Sequence, residues 1–128
     1  MLKTSQPQLL LDAQAELGEG PFWDSTHKRL GWLDILKGRL HTYHPDTGSD
    51  DFIELGQPVG CAAPCRTGKL IMGLKEGLAF FHRETHQLDW IAHPESELPN
   101  TRFNDGKCGP DGRFLAGTMD MGEQNPSG

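Results

Sequence analysis

The sequence has no long apolar run. Its strongest apolar stretches are short, such as Leu78-Ala79-Phe80-Phe81, far below the ~20 residues of a membrane-spanning helix. Near the N-terminus only Leu9-Leu10-Leu11 is apolar, and no small-residue cleavage site follows; that is too little for a signal-peptide core. Cysteine is scarce and odd in number, 3 in all, with no framework spacing. A disulfide-stapled scaffold is therefore not expected, and free thiols suit a reducing compartment. These absences predict a soluble, cytoplasmic protein without a membrane partner. There is no basic run either: 12 Lys and Arg face 18 Asp and Glu, for a net charge of -6. Such a chain offers no footprint to a phosphate backbone, so nucleic acid is not an expected partner. No Walker loop, no G-x-G-x-x-G and no G-x-S-x-G occurs, and no window carries a sustained 3.6-residue apolar stripe.

What the sequence does have is backbone punctuation: 16 glycines and 9 prolines in 128 residues. Glycine and proline cost a helix interior about 1 and 3 kcal/mol each, so long helices are hard to place. Turn chemistry recurs at Pro45-Asp46-Thr47-Gly48, Thr67-Gly68, Gly109-Pro110-Asp111-Gly112 and Asn125-Pro126-Ser127-Gly128. Between the turns lie strand-like runs at 29–35, 39–43, 52–55, 69–74, 78–82, 88–92 and 113–118. A strand every 8–12 residues or so predicts an all-β sandwich, barrel or propeller.

An internal repeat bears on this, although hairpins resemble one another and a sandwich or barrel stays open at this point. The stretch from Lys28, KRLGWLDILKGRLHTYHPDTG, parallels the stretch from Gly68, GKLIMGLKEGLAFFHRETH. Leu30 aligns with Leu70, Gly38 with Gly77 and Thr47 with Thr85, and a third copy opens at Gly112-Arg113-Phe114-Leu115. A spacing near 40 residues with two hairpins per unit is the size of a four-stranded propeller blade. The predicted organisation is one domain, 1–128, with blade repeats at roughly 20–60, 61–103 and an incomplete 104–128. Propellers close with about 4–8 blades, so on the propeller reading about three blades predict a piece of a larger ring or a ring closed by copies of the chain. Its open edges would favour self-association.

Two segments depart from the strand pattern. In Leu17-Gly18-Glu19-Gly20-Pro21-Phe22-Trp23-Asp24 a carboxylate sits between two glycines ahead of a proline, on a backbone free to bend sharply. In Asn100-Thr101-Arg102-Phe103-Asn104-Asp105-Gly106-Lys107 a guanidinium, a carboxamide and a carboxylate fall within four residues. If that segment is extended, Arg102 and Asn104 share one side while Phe103 and Asp105 share the other. A guanidinium can fork onto hydroxyl or carbonyl oxygens, and a carboxamide can donate or accept. Read alone, each segment is more simply a solvated turn. Cys61 and Cys65 with His82, His86 and His93 fit no standard zinc spacing. Asp46, Asp50 and Asp51 lack the order of an EF-hand loop. Trp23, Trp32 and Trp90 read most simply as core aromatics.

LGEGPFWD at 17–24, RLGWLDI at 29–35 and above all RFNDGKCGPDGRFLAGTMD at 102–120 resemble the gluconolactonase/regucalcin (senescence marker protein) family, in order over most of the chain. The resemblance implies a six-bladed β-propeller of roughly 300 residues and a metal-dependent sugar-lactone hydrolase. The alternative it offers is a non-catalytic, calcium- or ligand-binding propeller of the regucalcin type. It implies that Glu19 is a metal ligand, that Arg102 and Asn104 contact the sugar lactone, and that Asp105 supports the site. A further acidic substrate contact is expected just past Gly117-Thr118-Met119; the aligned position is Gly122, and the adjacent carboxylate is Glu123. The remaining ligands, an Asn and an Asp that also serves as general base, would lie beyond Gly128, so no catalytic residue is expected in this chain and the chain alone would be inactive. The implied cofactor is one divalent ion, with Ca²⁺ first and Zn²⁺, Mg²⁺ or Mn²⁺ as alternatives; oxygen ligands suit hard cations.

Overall fold

A computed structural model describes residues 2–128, and among them it has ten strands and no helix. The strands are β1 Gly18–Asp24, β2 Arg29–Asp34, β3 Arg39–His44, β4 Ser49–Glu54, β5 Val59–Pro64, β6 Leu70–Leu74, β7 Leu78–Phe81, β8 Leu88–Ala92, β9 Thr101–Cys108 and β10 Phe114–Asp120. They form antiparallel meanders: a four-stranded sheet β1-β2-β3-β4, a second β5-β6-β7-β8, and the two-stranded pair β9-β10. Each four-stranded meander has the strand count of one propeller blade. The repeat boundaries at 20, 61 and 104 fall a few residues inside β1, β5 and β9.

The core lies between the first two sheets. Leu33, Ile35 and Leu40 come from the first; Val59, Leu70, Met72, Leu74, Ala79 and Phe81 come from the second, and all are buried. Each fully buried large side chain contributes about 1.5–3 kcal/mol relative to exposure. The turns that sequence chemistry marks are in place. After β3, Gly48 adopts φ 71° and donates its N–H to the His44 carbonyl at 2.8 Å. No side chain is needed for that turn, and glycine accepts the left-handed conformation without strain.

The first strand of each sheet behaves differently from the rest. Strands β1, β5 and β9 pack against one another rather than hydrogen-bonding, and each is bulged. In β1, Glu19 pairs with Leu33 and Phe22 with Gly31, so Gly20 and Pro21 together face Trp32. In β5, Val59 pairs with Leu74 and Cys61 with Gly73, which leaves Gly60 without an opposite residue. In β9, Phe103 pairs with Thr118 and Gly106 with Ala116, so Asn104 and Asp105 together face Gly117. A bulge adds a residue, bends the strand and re-aims its side chains. The sequence pattern predicts the other seven strands but none of these three, because their Gly, Pro, Asn and Asp residues carry turn chemistry.

The bulges meet at Gly60. A Cβ there would lie 2.5 Å from the Asn104 carbonyl oxygen and closer still to that of Phe103. On the other side, a Cβ at Gly20 would lie 3.8 Å from the Gly60 carbonyl oxygen. Backbone cannot retreat as a flexible side chain can. Gly60→Ala is therefore expected to lower unfolding free energy by about 3 kcal/mol in urea denaturation, the upper end of overpacking costs. Gly117→Ala, with nothing within 4 Å of its Cβ, should stay within about 0.5 kcal/mol of the parent. Equal effects of the two substitutions would contradict the close approach.

Candidate functional site

The site is built from the ends of the inner strands, and Asp34 anchors its first part. This residue closes β2 and is only 2% exposed. Its carboxylate accepts the backbone N–H groups of Glu16 at 3.0 Å and Leu17 at 3.1 Å. The Ile35 N–H in turn donates to the Leu17 carbonyl at 2.9 Å. The residues just before Glu19 are thus tied to the end of β2. Burial alone would raise the Asp34 carboxyl, but the N–H donors of Glu16, Leu17 and Lys37 outweigh it and hold the group below its ordinary value. Two motifs that lie apart in sequence, LGEG and RLGWLDI, are one structural unit for this reason. Glu19 itself is exposed, next to the Gly20-Pro21 bulge.

The second part comes from β9. Arg102 is 5% exposed, and its Nη1 donates to the Phe103 carbonyl at 2.8 Å and to the Asn104 Oδ1 at 3.3 Å. Arg102 and Asn104 therefore share a side, as alternation requires, and Asn104 is exposed. Burial holds the Arg102 guanidinium below its ordinary value, and the nearby Glu123 charge opposes that shift. Glu123 is positioned by Asp120 at the end of β10. The Glu123 N–H donates to the Asp120 carbonyl at 3.1 Å, and the Asp120 Oδ2 accepts the N–H groups of Gln124 and Asn125 at 3.0 and 3.1 Å. Glu123 takes a left-handed φ of 52° in this turn. Arg102, Asn104 and Glu123 are thus brought together, while Gly122 presents no side chain.

Asp105 points elsewhere. It accepts the N–H of Gly106 at 2.8 Å and lies close enough to Cys61 to oppose ionisation of that thiol. Burial is the larger cause, and together they push Cys61 up to about 11. Cys61 is a packing group wedged against Gly73 and Gly106, not a nucleophile. The histidines set beside it in the sequence go to other partners: His82 to Asp89 at 2.5 Å and His93 to the Glu76 carbonyl at 2.8 Å. One residue with no sequence signal is Glu95, in the polar loop before β9. Its Oε1 accepts the Thr118 hydroxyl at 2.5 Å, and its Oε2 is buried without a partner.

Among the described residues, no three His, Cys, Asp or Glu side chains come together as a metal-binding group. Glu19 supplies one hard oxygen donor and the surrounding residues supply no companions. The donor set present does not by itself make a metal centre.

Successive antiparallel meanders whose bulged first strands pack side by side are the pattern of a β-propeller. The family model described as SMP-30/Gluconolactonase/LRE-like region matches residues 17–128, and the chain belongs to that family. YvrE of Bacillus subtilis is 40% identical over 114 residues, which cover 88% of this chain and 39% of YvrE. The 6-deoxy-6-sulfogluconolactonase of Pseudomonas putida is 36% identical over 103 residues, covering 80% of this chain and 35% of that enzyme. Among solved structures, a calcium-binding protein, regucalcin, from Agrobacterium tumefaciens superposes with a TM-score of 0.82 at 32% identity, over 87% of this chain and 38% of that one. The fold is accordingly all-β and part of a propeller. The chain spans 35–39% of the length of these curated relatives.

The Asp34 anchor has a pH signature. A carboxyl with a lowered folded-state pKa stabilises fully above its unfolded value, about 4, and loses that contribution as pH falls through the folded value. Thermal melts are expected to be flat from pH 7 to 5 and to fall steeply below about 4. Asp34→Asn should cost about 2–3 kcal/mol at pH 7 and show a shallower acid slope. An unchanged acid slope in that variant would contradict the anchor.

Proposed function

We propose that this chain carries the substrate-binding portion of a sugar-lactone hydrolase, and the observation that carries the reading is the Arg102–Asn104 pair. Nη1 of Arg102 is committed to the Phe103 and Asn104 oxygens. The guanidinium is thereby locked in place, and its remaining N–H groups are available to lactone or hydroxyl oxygens. The Asn104 amide oxygen is also committed, so its NH₂ is turned outward as a donor. A partly desolvated, pre-oriented donor pair of this kind recognises a polyhydroxylated ring without reorganising when the ring binds. Relatives named as lactonases, among them the pentonolactonase of Haloferax volcanii and the L-arabinolactonase of Azospirillum brasilense, support the same reaction class.

Glu19 stands in this reading as one ligand of a divalent-cation site, with Ca²⁺ first and Zn²⁺, Mg²⁺ or Mn²⁺ as alternatives, completed by residues other than those described. Bound there, the ion would polarise the lactone carbonyl and supply an activated water. Glu123 is a third substrate contact and Asp105 a supporting residue at the back of β9. None of the His–carboxylate pairs among the described residues includes Glu19, Arg102, Asn104 or Glu123, so residues 1–128 alone are expected to be inactive. The calcium-binding regucalcin structure favours one other reading, a propeller that binds ions or ligands without catalysis.

Gluconolactone hydrolysis followed by pH-stat separates these readings. Residues 1–128 should show no turnover above background. In a protein extended to the length of the relatives, Arg102→Ala and Asn104→Ala should each lower kcat/KM by about 10–1000-fold, or roughly 1.5–4 kcal/mol. Glu19→Gln should cost more, and excess metal should restore part of that loss but none of the loss in Arg102→Ala. Full kcat/KM in Arg102→Ala would overturn the reading.

A further inference from the structure

The two ends of the sheets are chemically distinct. Glu19, Arg102 and Asn104 lie near the starts of the inner strands. The β1–β2, β5–β6 and β7–β8 turns lie at the opposite end, and there they frame a cleft of about 530 Å³ between the first two sheets. Five basic side chains line it: His27 and Arg29 from the first turn, Lys69 from the second, His82 and Arg83 from the third. No element of the lactone-binding reading uses them.

Two carboxylate oxygens at this cleft are each shared by more than one basic group. The Oδ2 of Asp24, a residue 5% exposed, meets His27 Nδ1 at 3.0 Å, Arg29 Nε at 3.2 Å and Arg83 Nη2 at 3.1 Å. One carboxylate therefore serves two guanidiniums and an imidazole. The Nε–H of Arg83 is buried and has no acceptor. Burial first and the charge of Arg29 second hold Arg83 below its ordinary value, and Asp24 offsets only part of this. Across the cleft, Asp89 Oδ2 is shared in the same way by Lys69 at 3.3 Å and His82 at 2.5 Å. The one carboxylate lining the cleft without a basic partner is Glu84, which is exposed on its turn. Hydroxyls of Thr67 and Thr85 complete the lining.

We infer that this cleft is a second binding site, at the end of the propeller opposite the lactone site, for a small ligand bearing a phosphate-type oxyanion. Two guanidiniums that share one buried carboxylate, an ammonium across the gap and hydroxyls between them are the donor set for a tetrahedral dianion. The dianion supplies the acceptors that Asp24 and Asp89 are too few to provide. Asp24, nearly buried behind Arg29 and Arg83, holds the two guanidiniums in place.

Two-dimensional amide NMR of the 128-residue chain tests this, with inorganic phosphate, glucose 6-phosphate and glucose as separate probes. Saturable shifts confined to 27–29, 67–69 and 82–85 are expected with the two phosphates and not with glucose. Equal affinity for both phosphates assigns the site to the free anion; tighter glucose 6-phosphate assigns it to a phosphorylated metabolite. Lys69→Gln should weaken binding about fivefold, and Glu84→Gln should tighten it by about twofold. Both positions are on exposed turns or strand ends, and the spectrum itself reports whether each variant is folded. Shifts that do not saturate by 20 mM ligand (about a hundred times a 0.2 mM affinity), that scatter over lysines elsewhere, or that are unchanged in both variants would overturn the site. So would the same shifts with glucose. Because no lactone is present, the outcome is independent of the lactonase reading.

Discussion

The structure depends on one place where there is no room for a side chain. At Gly60 the backbone of β5 meets the carbonyls of Phe103 and Asn104 on β9, and its own carbonyl faces Gly20 on β1. Strands β5 and β9, from two different sheets, can approach this closely only because Gly60 has no Cβ. The bulges at Gly20-Pro21, Gly60 and Asn104-Asp105 fall at the same level of their strands. They turn the chain where ordinary pleating would have sent its side chains into the blade interfaces.

Two anchors convert this backbone convergence into fixed side chains. Asp34 pins the approach to Glu19 through backbone N–H groups, and Asp120 pins the turn that carries Glu123. Neither anchor touches a ligand in the proposed reading. Both are carboxylates committed to backbone donors, which makes them structural, whereas Glu19 and Glu123 are exposed. The same economy operates at the other end, where Asp24 organises Arg29 and Arg83. Charge in this protein is concentrated at the two ends of the sheets, and the apolar packing of Leu33, Leu40, Leu70, Met72 and Phe81 lies between them.

The parts of the fold legible in the sequence were the outer strands and the repeat. Strands such as β2, β3, β6 and β7 carry aliphatic and aromatic residues between clear turn signals, so local chemistry and tertiary structure agree. The inner strands were not legible, because the features that make them work hide them. Gly18, Gly20 and Pro21 in β1, Gly60 in β5, and Asn104, Asp105 and Gly106 in β9 are turn residues used as bulges. Their strand character comes from pairing with β2, β6 and β10, which no local window contains. The candidate residues Glu19, Arg102, Asn104 and Glu123 were singled out through motif resemblance. The grouping of Asp34 with the Glu19 segment was not, since a buried carboxylate serving backbone N–H groups reads in sequence as an ordinary strand-end Asp. Nor was the cleft around Asp24, whose members come from three separate turns.

The most direct test of the account is a single distance across the inner strands. In a three-dimensional NOESY spectrum of the isotopically labelled chain, the Gly60 α-protons should show strong cross-peaks to backbone protons of Phe103, Asn104 or Asp105, because a Cβ in place of one of them would touch those carbonyls. Such cross-peaks, found together with the β5–β6 and β9–β10 pairings, would establish that the inner strands converge on a glycine. Intact β5–β6 and β9–β10 pairings with no contact from Gly60 to β9 would mean that the blades fold without meeting there. The proposed grouping of Glu19 with Arg102 and Asn104 would then have no structural basis.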